Sequence, residues 1–357
     1  MTPLALTPAQ EERAQALHAG ALVVAGHTDF IAADVIDQRS QGRRAVMVER
    51  HLPTWQQGCV SAICDHVGGD GPYFDSFPTR QVLPAARLAL ALHGLDALHE
   101  EVAESGGRLV LATGAEQLPA AKAAGQVAIV ACLEGAMPIK EDLALLRTFH
   151  RLGIRCIGLT WNHRNALGDG IGAATASGLT QFGVAAVREM QRLGITVDVS
   201  HLNDAGTCHV LDVATRPVVA SHSNAYALCA HPRNLKDDLI RGIAASGGLI
   251  GVHALQMLVT SSPPPTLDQL LDHVDYLVRL AGADHVAIGP DLMETWPVDL
   301  YLRTSMRGME YVYPPEFDTL GKLPNITRGL VQRGYGDEDI AKILGGNWLR
   351  VFEQTWA

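Results

Sequence analysis

Short, continuous apolar runs alternate with longer stretches of helical periodicity along most of the chain. The runs are ALVVAG (21–26), CVSAI (59–63), VAIVACL (127–133), IRCIGLT (154–160), ITVDVS (195–200), PVVAS (217–221), GLIGV (248–252) and HVAIG (285–289). Most are rich in Val and Ile and lack the alternation of a half-exposed strand. Parallel strands covered on both faces read this way. Between them the spacing predicts helices over 84–105, over 141–152 (Leu143, Leu146, Phe149) and over 180–193 (Phe182, Val187, Met190). Asn203 is placed to cap a helix running to Val213. Thr266 with Gln269 forms a capping box ahead of Leu270, Val274 and Leu277. Two more helices are predicted in the tail, over 326–333 and 337–352. RLVLA (108–112) is an extra strand that breaks the alternation, an excursion between the second and third core strands.

Eight strand–helix units predict an α/β fold, a (β/α)₈ barrel with a C-terminal helical extension. No low-complexity linker or composition shift divides the chain, so residues 1–357 are expected to form one domain. A doubly wound open sheet is the alternative. No GxGxxG follows the first strand, which disfavours its dinucleotide-binding form.

Composition narrows the function classes. With 47% hydrophobic and 18% charged residues the chain is not a disordered one. A formal net charge of −10 argues against nonspecific nucleic-acid binding, which needs a basic surface. No apolar run reaches the roughly 18 residues of a membrane span. The first residues lack the basic stretch and apolar core of a secretory signal. The six Cys form no CxxC pair and mostly sit in apolar runs, as buried reduced thiols do. A cytoplasmic protein with no membrane or nucleic-acid partner is the expectation.

In a barrel, chemistry belongs at the C-terminal ends of the strands, and metal-capable residues fall there. Strand one ends in Gly26-His27-Thr28-Asp29, and positions i and i+2 of an extended chain point to one side. Strand three ends in Glu134, five in His201, six in His222 and eight in Asp291. Each residue alone has an ordinary structural reading. Together they mark five of eight strand ends. Imidazole and carboxylate donors suit Zn²⁺ or another divalent ion without thiolate. Three His and two or three carboxylates suit two ions, with Glu134 as the bridge.

The segments GHTDF, LEGA, GLTQFG…EMQRLGITVDVSH, ASHSNAYALCAHPRN, DHVAIGPD and ILGGNWLRVF resemble the membrane (renal) dipeptidase family, peptidase family M19 of the amidohydrolase superfamily. The resemblance runs from about Val24 to Phe352. It implies a barrel with two Zn²⁺ and attack by a metal-bridging hydroxide on the amide of a small dipeptide. A D-residue at the C-terminal position is within that scope. His27, Asp29 and Glu134 are implied to hold one ion; Glu134, His201 and His222 hold the other. Arg233, in HPRN, is implied to bind the substrate carboxylate, against the alternative of an ion pair with Asp237 or Asp238. Asp291 is implied to carry the proton from water to the leaving amine. A homodimer is common in the family.

One departure matters. The family's dipeptidases commonly carry a His directly after the Leu-Thr of strand four, in contact with substrate. Here Trp161 stands there and His163 follows two residues later. His163 is a candidate replacement on the same side of an extended segment. Equally, Trp161 packs over the pocket and His163 is merely nearby. The departure keeps open a non-dipeptide amide, such as an N-acyl amino acid. Tyr226 is a candidate pocket residue, with Asn224. Asp65 and His66 after strand two, and His253 after strand seven, are weaker candidates, His253 being assigned a surface or core role.

Overall fold

The computed structural model describes residues 4–71, 86–294 and 312–357. Among these residues nine strands lie in chain order as β1 (Val24–Thr28), β2 (Ala62–Gly69), β3 (Leu109–Leu111), β4 (Val127–Glu134), β5 (Ile154–Gly158), β6 (Thr196–Asp198), β7 (Val218–Ala220), β8 (Leu249–Val252) and β9 (Val286–Ile288). All pair in parallel in the order β1-β2-β4-β5-β6-β7-β8-β9. β9 returns against β1, nearly closing an eight-stranded (β/α)₈ barrel. β3 pairs with β4 alone, off this path, as the excursion predicted from RLVLA. Among the described residues, no helix is long and apolar enough to cross a membrane.

Cap chemistry sets the helix boundaries. Asp142, Thr180 and Asn203 accept from backbone N–H groups at the starts of Leu143–Arg151, Gln181–Leu193 and Asp204–Val213. The Thr266–Gln269 capping box opens Leu267–Ala281. The helix expected over 84–105 is Arg87–Glu104; residues 84 and 85 lie outside the described residues. Pro8–Gly20 does not show in the apolar pattern because its apolar residues are not gathered on one face.

The tail departs from the expected single helix over 337–352. It divides into Asp337–Ala341, a π-helical segment Lys342–Gly346, and Asn347–Thr355. The break is at Gly345, whose ψ of −15° with φ of 176° is not helical. A Cβ there would lie 2.2 Å from the Leu22 carbonyl oxygen, so glycine lets the tail close against the start of β1.

Alternate strand residues fall into two cores. Val23, Ile63, Ile129, Ile157, Val197, Val218, Ile250 and Val286 pack outward against the helices. Val24, Ala62, Cys64, Ala128, Cys132, Cys156, Val219, Leu249 and Ala287 face the barrel axis and pack with Trp348, Val351 and Phe352 of the final helix. That helix therefore plugs the mouth at the strands' N-terminal ends. It reaches β1 and β6, on opposite sides of the barrel. Thr355 Oγ1 lies 2.7 Å from Thr196 Oγ1, and Trp356 Nε1 donates to the same oxygen at 3.0 Å. A Cβ on Gly26 would sit 2.2 Å from the Trp348 ring, so only glycine fits before His27. With the bottom filled, the opposite end remains for chemistry.

Candidate metal centre

The side chains predicted at the strand ends converge at that end. A register shift in β1 between Ala25 and Thr28 accompanies the inward turn of His27. Glu134 Oε1 is the hub: it lies 3.0 Å from His201 Nε2, 3.5 Å from His222 Nε2 and 3.7 Å from His27 Nε2. His27 Nε2 is also 3.5 Å from Asp29 Oδ2 and 3.7 Å from Asp291 Oδ1. The Nε2 atoms of His201 and His222 face each other at 3.0 Å.

Surrounding hydrogen bonds aim these nitrogens. Asp198 Oδ2 accepts from Ser221 Oγ at 2.6 Å, so Ser221 in turn accepts from His222 Nδ1 at 2.8 Å. His201 Nδ1 donates to Asn162 Oδ1 at 2.7 Å. Both rings thus carry the proton on Nδ1 and turn a bare Nε2 inward, the tautomer a metal requires. Asp65 accepts from Thr28 Oγ1 (2.6 Å), Phe30 N (2.8 Å) and Ile31 N (3.0 Å), fixing the turn that carries Asp29.

This donor set fits divalent metal. His27 Nδ1 and Nε2, Asp29 Oδ1 and Glu134 Oε2 are buried without a hydrogen-bond partner, which is costly unless something else binds them. Burial pushes His201 and His222 well below the usual imidazole range, favouring neutral ligands. Burial, reinforced by Asp29 and Asp291, pushes Glu134 well above the usual carboxylate range, a cost that a cation removes. Among the described residues three overlapping groups could hold a metal ion: His27, Asp29 and His66; His27, His222 and Asp291; Glu134, His201 and His222.

A cavity of about 250 Å³ opens over the cluster, small for a ligand pocket. Arg233 lines it, buried, with Nη1 donating to Ser223 Oγ at 3.3 Å and Nη2 to the His222 carbonyl at 3.2 Å. Among the described residues its guanidinium makes no ion pair with Asp237 or Asp238; Asp237 is engaged by Tyr276 at 2.9 Å. Burial lowers Arg233 to about 10, still protonated at neutral pH. Trp161 also lines the cavity, its ring stacked on His201 at 5.6 Å. Ile171, Leu255, Met257, Leu258 and Met293 supply an apolar wall.

Two sequence candidates lie elsewhere. His163 is exposed, its ring edge-on to Trp161 at 5.8 Å, and it is not among the residues lining the cavity. Tyr226, 38% exposed, lines a neighbouring cleft with Asn203, Asp204 and Lys236. The surface or core role assigned to His253 needs correction: it is buried, but in the cavity wall beside Asp291.

A family model described as membrane dipeptidase (peptidase family M19) matches residues 11–357. The chain belongs to that family. It is thus a metallo-dipeptidase by family, and its clustered His, Asp and Glu side chains are suited to metal-dependent hydrolysis. An uncharacterized protein of Klebsiella pneumoniae is 32% identical over 285 residues, covering 77% of this chain and 99% of that protein. A dipeptidase of Clonostachys rogersoniana is 30% identical over 270 residues, 75% of this chain but 66% of its own length. A metallopeptidase of Rhodobacter sphaeroides, liganded with a phosphinate mimic of the dipeptide L-Ala-D-Ala, is 25% identical with a TM-score of 0.81, over 94% of this chain and 99% of that one.

Sequence reasoning about this M19 protein missed Asn162, His231 and the apolar wall as pocket residues. His66 and His253 carried the signal used for the other histidines, a position just past a strand. Asp198 also had one: a carboxylate inside an otherwise apolar strand.

Proposed function

We propose that this M19 protein is a binuclear zinc dipeptidase that hydrolyses small dipeptides, including those with a C-terminal D-residue. One observation carries the reading: Glu134 Oε1 stands within 3.7 Å of the Nε2 atoms of three histidines, in a cavity that also holds a buried Arg233. His27 and Asp29 would hold one ion and His201 and His222 the other, with Glu134 between them. When bound, the ions supply Lewis acidity toward a carbonyl and a water of lowered pKa. Arg233 anchors the substrate carboxylate in bidentate fashion. Asp291, whose Oδ1 lies 3.7 Å from His27 Nε2, takes up a proton and delivers it to the leaving amine. Trp161 and the apolar wall exclude bulk water. The D-residue is supported by the ligand of the Rhodobacter sphaeroides relative.

Metal analysis together with turnover of a dipeptide panel, D-residues included, tests the reading. Two equivalents of zinc and hydrolysis that fails in Glu134→Gln are expected. A zinc-reconstituted protein that binds no metal and cleaves no dipeptide rejects it. Trp161 favours a second reading, an N-acyl amino acid as substrate, because its indole occupies the cavity where a polar substrate contact is usual. A panel hit confined to acylated amino acids selects that reading.

A further inference from the structure

The proton-carrying role of Asp291 depends on how its carboxylate is aimed. We propose that His253 is the positioning residue for Asp291, committing one oxygen to a fixed hydrogen bond and leaving the other for the reaction. His253 directly follows β8 and is buried. Its Nε2 lies 3.0 Å from Asp291 Oδ2. The Leu255 amide donates to His253 Nδ1 at 3.1 Å, so Nδ1 is an acceptor and the ring proton is on Nε2. The Nε2–H group therefore donates to Oδ2. The remaining oxygen, Oδ1, is the one 3.7 Å from His27 Nε2, toward the ligand cluster.

Both partners are held from behind. Asn224 grips the backbone of His253 from two directions: His253 N donates to Asn224 Oδ1 at 3.0 Å, and Asn224 Nδ2 donates to the His253 carbonyl at 2.9 Å. Asp291 has φ of 50°, a conformation unfavourable for a residue with a Cβ. Tyr313 Oη donates to its carbonyl at 3.0 Å, and Ala254 N donates to the Pro290 carbonyl at 3.1 Å, tying the two loops together. A strained backbone supported this way serves to aim the side chain.

The inference rests on the reading of Asp291 as proton carrier, and its test separates the two. In the full-length protein, His253→Ala should lower kcat about ten- to a hundredfold with little change in KM or zinc content. His253→Gln, whose amide can present an N–H near the Nε2 position, should recover most of the rate, and His253→Asn, one methylene shorter, should not. In an Asp291→Asn background, His253→Ala should cost little more. Independently of turnover, nitrogen-15 spectra of histidine-labelled protein should show His253 as the Nε2–H tautomer, its signal moved by Asp291→Asn. Additive losses, a Gln variant no better than Asn, or an Nδ1–H tautomer indifferent to Asp291→Asn overturns the proposal. If no substrate turns over, the proton-carrier reading falls while the spectra still decide the His253–Asp291 relation.

Discussion

Asn162 Oδ1 lies 2.7 Å from Nδ1 of His201, one residue beyond the tryptophan that departs from the family pattern. The loop that carries Trp161 thus holds a candidate metal ligand through its next side chain.

Removing that hold should weaken metal binding. Asn162→Ala frees the His201 ring to rotate and to place its proton on either nitrogen. A loss of about 10–100-fold in zinc affinity is expected, measured by competition with a chelator. Asn162→Asp keeps an acceptor and should retain most of the affinity. Equal affinities for Ala and wild type would contradict the orienting role.

Arg233→Met should raise KM far more than it lowers kcat. Loss of a charge-assisted bond to the substrate carboxylate costs about 1.5–3 kcal/mol, or about ten- to a hundredfold in kcat/KM. The penalty should vanish for substrates whose C-terminus is amidated, since those lack the anchored charge. Steady-state kinetics on the paired substrates checks this; an equal penalty for both removes Arg233 from carboxylate recognition.

Asp169 ties down the loop between β5 and the following helix. It accepts from Arg164 Nη2 at 2.9 Å and from Ser177 N and Oγ at 3.1 and 2.6 Å. The Arg164 hydrogen bond leads in holding its carboxyl down at about 2. A depressed carboxyl stabilises the fold fully above its unfolded value of about 3.9 and stops doing so as pH falls through its folded value. The gap in thermal midpoint between wild type and Asp169→Asn should be widest above about pH 5 and should close toward pH 2. A gap that is constant across that range would rule out the ionised carboxylate as its source.

Gly26→Ala should damage both stability and the metal centre. Its Cβ would fall 2.2 Å from the Trp348 ring. Overpacking of this kind costs about 1–3 kcal/mol, and His27 is the next residue. Thermal midpoint and zinc content should fall together, and Trp348→Leu should restore part of both. Loss of stability with full zinc content would separate the plug from the site.

The ordering of the strands and the convergence of the five candidate ligands at one end were legible because both obey simple rules: parallel strands are apolar throughout, and barrel chemistry gathers where they end. What was not legible links segments distant in the chain. Nothing in the spacing of Asp198 and His222, or of Asn162 and His201, announces that the first helps to orient the ring of the second. Nor did the tail's periodicity reveal its break at Gly345, which is set by the approach of the Leu22 carbonyl. His253 was misjudged for the same reason: its position past a strand was visible, but its partner Asp291 lies beyond the next long helix and β9.

The plug formed by the last helix bears on assembly as well as on packing. Every candidate ligand leaves the ribosome before Trp348 does. The Trp348 indole fills the space beside Gly26, one residue before His27, so the packing behind the first candidate ligand is supplied by one of the last side chains to be made.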